Sequence, residues 1–294
     1  ARRHPPSLST ARALLEGGQT PLDGLLRQAQ LDGVSPLLDY YLRAQTWLPE
    51  AFAAGCHADY LATGLRNTLL LEALERALLQ AADAGILVIV LKGAALLGSV
   101  YPALGLRPMD DLDLLIPHEQ VQALRALLEA DGYVPALPET HAGNILAFEN
   151  ELALRKPGRF GALLELHWNL IDSPFYQRRL ALDWFWQTAQ PLTVGRAATR
   201  ALCPEAHMLH ACAHLALHHT HAEGARLLWQ HDIAEMLEAY GARLDWDLLL
   251  AKAQEYDLVL SLQNVLLPML EPWRIAIPAP ALARLQQLPA SRAE

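Results

Sequence analysis

The chain has 294 residues, 52% of them hydrophobic, with Leu and Ala abundant. That length and composition suit a helix-rich globular protein with a real core, in one large or two ordinary domains, and exclude a disordered chain. A net charge of −9 and a pI of about 5.7 argue against a long nucleic-acid partner, which selects a basic face.

Residues 1–82 read as a helical N-terminal region. Thr20-Pro21 followed by Asp23, and Ser35-Pro36, look like helix starts, with a capping side chain and then Pro at the first helical position. A Leu- and Ala-rich run over 60–82 predicts a long helix that stops at Ala84-Gly85. The texture then changes. Ile86 to Leu91 is a short β-branched run that suits a buried strand. Lys92-Gly93 turns the chain into a helix from Ala94 to about Val100. Asp111 to Ile116 reads as a second strand, and Pro117 opens a helix that ends near Asp131-Gly132. Two more strands are expected over 145–155 and 160–168, joined at Pro157-Gly158. The alternation places an α+β domain at 83–200, and the region 201–294 is expected to be helical, with helices from Pro204-Glu205, over 223–240 and over 246–270.

Cys56, Cys203 and Cys212 are widely spaced, odd in number and free of any C-x-x-C pair, which suits a reducing cytoplasm. No apolar run approaches the roughly 18 residues that span a bilayer. The first six residues lack the apolar stretch of a secretory signal. A cytoplasmic protein with no membrane partner is the expectation.

Asp111 and Asp113 are two residues apart on an expected strand, so both side chains leave one face while Leu112 and Leu114 enter the core. Adjacent carboxylates repel unless a cation sits between them, and Mg²⁺ prefers such hard oxygens. Glu165 lies within the apolar run Leu163 to Leu166 and needs a polar reason to be there. On a neighbouring strand it completes a two-metal site. A lone Asp-x-Asp is more often a solvated strand end; the strand, glycine turn and helix before it, and the third acid after it, shift the balance toward the metal. Asp110 faces away from Asp111 and is read as a neighbour only.

The stretch Leu91 to Pro117 resembles the nucleotidyltransferase superfamily built on the DNA polymerase β palm, and more narrowly the bacterial uncharacterised nucleotidyltransferases. The motifs are Lys92-Gly93, Arg107, Asp111-Leu112-Asp113 and Glu165-Leu166-His167-Trp168; His214, Arg226 and Asp232 fall where that group's helical-domain residues are expected. The resemblance spans roughly residues 60 to 240. It implies a small mixed-sheet palm between helical regions, with Mg²⁺ or Mn²⁺ held by Asp111, Asp113 and Glu165. It implies a nucleoside triphosphate, ATP by default, bound by Lys92, Gly93, Ala94, Arg107, His167 and His214. Its acceptor would be a small molecule, protein or peptide, and pyrophosphate would leave. The chain departs from the superfamily at Gly93-Ala94, where Gly-Ser is usual; Gly98-Ser99 lies five residues on, inside the expected helix. The Ser contact to the phosphates is then missing, although Gly93 still lets backbone N–H groups approach them.

His207, His210, His214, His218 and His221 fall within about 80° of arc on one helical face. They read as a transition-metal site, or as cleft residues at His214 and His218. For His207, His210 and His221 ordinary packing is the preferred reading, because no carboxylate or Cys stands at ligand spacing. His231-Asp232, with Asp245, Asp247 or Asp257 as a last ligand, allows a His-Asp phosphohydrolase instead; a non-catalytic nucleotide-binding palm is the other alternative. Trp168, Trp184, Trp186 and Trp229 read as core or cleft wall.

Overall fold

A computed structural model describes residues 8–16, 21–137, 146, 149–158, 160–177, 179–218, 226–292 and 294. The fold is α+β. Four helices come first: α1 (Leu8–Glu16), α2 (Leu22–Leu31), α3 (Ser35–Leu42) and α4 (Glu50–Asp83). Pro21 sits at the N-cap of α2, one place earlier than expected, and Pro36 lies in the first turn of α3, without the side-chain cap expected from Ser35. Helix α4 begins ten residues before the expected run. Leu70, Ala73, Leu74, Ala77, Leu78 and Ala81 form its buried stripe at three- and four-residue spacing. Gly85, at φ +70°, supplies the left-handed residue that ends it.

The middle of the chain folds as β1 (Ile89–Val90), α5 (Lys92–Ser99), β2 (Leu112–Leu115), α6 (Val121–Ala130), β3 (Val134–Pro135), β4 (Glu151–Arg155) and β5 (Leu163–His167). Short helices α7 (Pro174–Gln177) and α8 (Asp183–Thr188) precede a hairpin, β6 (Gln190–Val194) and β7 (Ala197–Ala201). The seven strands form one mixed sheet in the order β3-β4-β5-β2-β1-β7-β6. Among the described residues five helices follow: α9 (Pro204–His218), α10 (Leu227–Tyr240), α11 (Trp246–Glu255), α12 (Val259–Met269) and α13 (Ala279–Gln287). Helix α9 carries Ala206, Met208, Leu209, Cys212 and Ala213 fully buried, and α10, α11 and α12 pack around it. All three cysteines are buried and free. Among the described residues no helix is long and apolar enough to cross a membrane.

Several expected elements shift. Only Ile89 and Val90 of the run 86–91 enter the ladder, although Leu91 N–H still bonds the Asp113 carbonyl at 2.9 Å. The strand expected over 145–155 starts at Glu151; residues 145, 147 and 148 lie outside the described residues. The helix expected from 223 begins at Leu227, with 223–225 outside the description. The helix expected over 246–270 is two helices, broken where Asp257 takes φ +55°. The hairpin 190–201 was not expected; its two-residue turn uses Gly195 at φ +56°.

What positions the site is the register of β2 on β5. The two strands are parallel, with Leu112 opposite Leu164, Asp113 opposite Glu165, and Leu114 opposite Leu166. The four leucines are at most 1% exposed, each worth on the order of 2 kcal/mol of burial. A one-residue slip would turn them out of the core, so the pairing of Asp113 with Glu165 follows from the leucines beside it.

Candidate active site

The acids gather in a cleft of about 400 Å³ between the sheet, the α5 N-terminus and helices α9 and α10. Asp111 immediately precedes β2, and Asp113 and Glu165 sit side by side on β2 and β5. Lys92, Gly93, Arg107, His167 and His214 line the same cleft. Ala94 does not: its side chain is in the core, 3% exposed, because α5 turns that face onto the sheet. Ser99 is inside α5 and returns its hydroxyl to the Ala95 carbonyl at 2.7 Å.

Asp113 is the centre of the polar network. Its Oδ1 accepts from Lys92 Nζ at 2.6 Å and from His167 Nε2 at 2.9 Å. Burial alone would raise its pKa, but the Lys92 charge and the His167 hydrogen bond hold it far below the usual carboxylate range. His167 Nδ1 lies 3.1 Å from Glu151 Oε2, so the imidazole bridges two carboxylates. Burial works against its charge, yet the hydrogen bonds to Asp113 and Glu151 raise its pKa to about 9. Both carboxylates thus favour the protonated imidazole. Glu165 goes the other way: burial, then the charges of Asp113 and Asp111, raise it to about 7. Burial and Asp113 also raise Asp111.

Among the described residues, ligand atoms of Asp113, Glu165 and His167 lie within 4.8 Å of one another and could surround a cation. Asp111 shares the cleft but stands outside that grouping. Both His167 nitrogens are already engaged with carboxylates, which makes the ring an orienting partner of Asp113. The donors that remain are carboxylate oxygens, and these fit Mg²⁺ or Mn²⁺.

Arg107 lines the cleft and is also held in an ion pair. Its guanidinium, expected on phosphate, closes on Asp232 of α10: Nε donates to Oδ1 at 3.0 Å and Nη2 to Oδ2 at 2.8 Å. A buried guanidinium needs a carboxylate, and the planar fork fits one in two places. Tyr101 also donates to Asp232 Oδ1, at 2.6 Å, and His231 Nδ1 lies 3.0 Å from the same hydroxyl. Asn67 of α4 holds the segment from below, donating to the Leu104 and Arg107 carbonyls. Gly93 is what admits Arg107 here, since a Cβ would collide with its Nη1. The cluster fastens the helical region to the palm.

A family profile described as "Uncharacterised nucleotidyltransferase" matches residues 19–269. The chain belongs to that family. No curated protein matches it. Among solved structures it is similar to the crystal structure of ANT(2")-Ia in complex with adenylyl-2"-tobramycin, at 15% identity and TM-score 0.43, covering 62% of this chain and 95% of that one. It is also similar to an antigenic nucleotidyltransferase-like protein from Paracoccidioides brasiliensis, at 16% identity and TM-score 0.43, covering 76% and 94%. The family supports nucleotidyl transfer as the general chemistry.

The arrangement disfavours the phosphohydrolase alternative within that family. Asp232 has both oxygens on Arg107, Asp245 caps α11 through Leu248 N–H, Asp247 pairs with Arg284, and Asp257 pairs with Arg179. None joins a metal-binding grouping among the described residues.

The histidines divide. His214 lines the cleft, with its ring edge-on to Trp229. His210 also lines it, although ordinary packing was the expectation. His221 and His219 lie outside the described residues, as does the His218 side chain. His207 is buried in the core beside Tyr240, whose hydroxyl is 3.3 Å from Nδ1. Trp184 packs against Tyr256 and Phe185, away from the site. Sequence reasoning missed Glu151, Asn150, Asn169 and Asp172, which form the far wall of the cleft.

Burial, with the Arg107 charge, lowers the His207 pKa from 6.5 to about 4. The unfolded chain therefore takes up this proton first as pH falls. The stability due to neutral His207 is complete above pH 6.5 and is lost between pH 6.5 and about 4. The full effect is on the order of 3 kcal/mol. His207→Gln is expected to weaken the fall in Tm between about pH 7 and 4.5. Parallel Tm curves for the variant and the wild type would show that His207 is not held neutral.

Proposed function

We propose that the protein is a divalent-metal-dependent nucleotidyltransferase. It would move a nucleoside monophosphate, AMP by default, from a triphosphate to a hydroxyl of a small molecule, protein or peptide and release pyrophosphate. The observation that carries this reading is the parallel register that sets Asp113 beside Glu165, with Asp111 at the head of the same strand in one cleft.

Asp111, Asp113 and Glu165 would hold Mg²⁺ or Mn²⁺. When bound, such an ion neutralises charge on the triphosphate oxygens. The chain's own residues do the rest. His167, fixed by Glu151, orients the Asp113 carboxylate. The α5 N-terminus at Lys92-Gly93 presents backbone N–H groups and a positive dipole end to phosphate oxygens. Arg226 lines the cleft half-exposed, 3.9 Å from Asp110, and shares the phosphate role expected of Arg107. Glu165 would either ligate the ion or accept the proton of the attacking hydroxyl. His214 and Trp229 form a ring-bearing wall for a planar or sugar moiety.

A melting panel of the four NTPs, each with and without Mg²⁺, tests this reading. At 100 times its Kd a ligand adds about 2.7 kcal/mol to stability. At least one Mg-NTP is expected to raise Tm where neither component does alone. A panel with no Mg-dependent shift would refute the reading.

A further inference from the structure

Lys92 stands at a backbone angle that side chains avoid. Its φ is +42°, one of three positive values at non-glycine residues among the described residues. Such conformations cost of order 1–3 kcal/mol and persist where the surroundings over-determine them. The effect here is to swing the side chain off the α5 N-terminus and onto β2, where Nζ sits 2.6 Å from Asp113 Oδ1. The same oxygen accepts from His167 Nε2 at 2.9 Å.

A two-metal site asks a shared carboxylate to bridge ions about 3.5–4 Å apart with both of its oxygens. Asp113 stands beside Glu165 on the neighbouring strand, and its Oδ1 already accepts from two N–H donors. Only Oδ2 is left for an ion.

Resting on the transferase reading above, we propose that the Lys92 ammonium takes the place of the second divalent cation, so that the protein works with one metal ion per chain. An ammonium there touches a carboxylate on one side and can face triphosphate oxygens on the other, as a bridging ion does. It differs in being tethered and in carrying one charge.

The test counts metal. The full chain is titrated with Mn²⁺ in the presence of an ATP analogue that carries a methylene bridge between the α and β phosphorus atoms. Bound Mn²⁺ is measured at equilibrium and by electron paramagnetic resonance. The wild type is expected to bind one Mn²⁺ with an uncoupled six-line spectrum. Lys92→Met and Lys92→Gly are both expected to bind a second ion and to show a spin-coupled pair; Lys92→Arg should stay at one. Glycine adopts this backbone angle without strain, so Lys92→Gly tests the ammonium even if Lys92→Met folds poorly. Two coupled ions in the wild type, or one ion in both neutral variants, would overturn the proposal and leave the transferase reading standing. No Mn-dependent binding of the analogue at all would overturn both.

Discussion

Changing Asp113 to Asn is expected to lower nucleotidyl transfer by about three orders of magnitude, the several kcal/mol that metal and charge stabilisation supplies at such a site. Asn keeps the volume, so the leucines of β2 hold their places and the register on β5 survives. What changes is charge. Lys92 and His167 would share a neutral amide oxygen where they now share a carboxylate. Removing the charged acceptor of half-buried Lys92 and buried His167 adds a stability loss on the order of 2 kcal/mol. The combined signature is a protein that folds, melts somewhat earlier, and gains no Mg-dependent stabilisation from a nucleotide. Melting curves with and without Mg-NTP check it directly. An Asp113→Asn protein that binds Mg-NTP like the wild type would remove Asp113 from the metal site.

The second large effect falls on the fold. Asp232→Ala leaves the buried Arg107 guanidinium without its carboxylate and takes an acceptor from Tyr101. Breaking a buried pair from one side costs about 3–5 kcal/mol. For a chain of this size that is a fall in Tm on the order of 10 °C. The double variant Arg107→Met with Asp232→Leu removes both charges at similar volume and is expected to recover most of the loss. His231→Ala, in contrast, is expected to keep most of the transfer activity, because His231 meets Tyr101 and Glu235 rather than the three acids. Urea denaturation of the single and double variants measures the first claim. An Asp232→Ala protein as stable as the wild type would mean that the guanidinium finds water, and that the latch is not closed in solution.

The catalytic strands could be read from the sequence because their pattern is local. Leu112 and Leu114 alternate with Asp111 and Asp113, and Glu165 alternates with Leu164 and Leu166, so each strand declares its two faces unaided. The hairpin at 190–201 declares nothing of the kind. Pro191 stands in its first strand, and Ala198, Thr199 and Arg200 give β7 a weakly apolar run, although Val194-Gly195-Arg196 is a usable turn signal. Glu151 was missed for another reason. Its partner His167 is fixed by the register of β4 on β5, and the seven-residue loop between Arg155 and Leu163 is too long for turn type to set that register. The break at Tyr256-Asp257-Leu258 was hidden by helix-forming neighbours on both sides. The pairing of Arg107 with Asp232, 125 residues apart, lies beyond any local pattern. The family resemblance supplied the order of motifs, and the tertiary structure decided which of them face the cleft.

The most direct test of the account follows the phosphorus. Protein, Mg²⁺ and an extract that contains candidate acceptors are incubated with ATP labelled either on the α- or on the γ-phosphate, using wild type and Asp113→Asn in parallel. The account predicts that the α label moves onto an acceptor, that the γ label leaves in pyrophosphate, and that both events fail in the Asp113→Asn protein. Release of the γ label as orthophosphate alone, undiminished in Asp113→Asn and lost in His231→Ala, would contradict it.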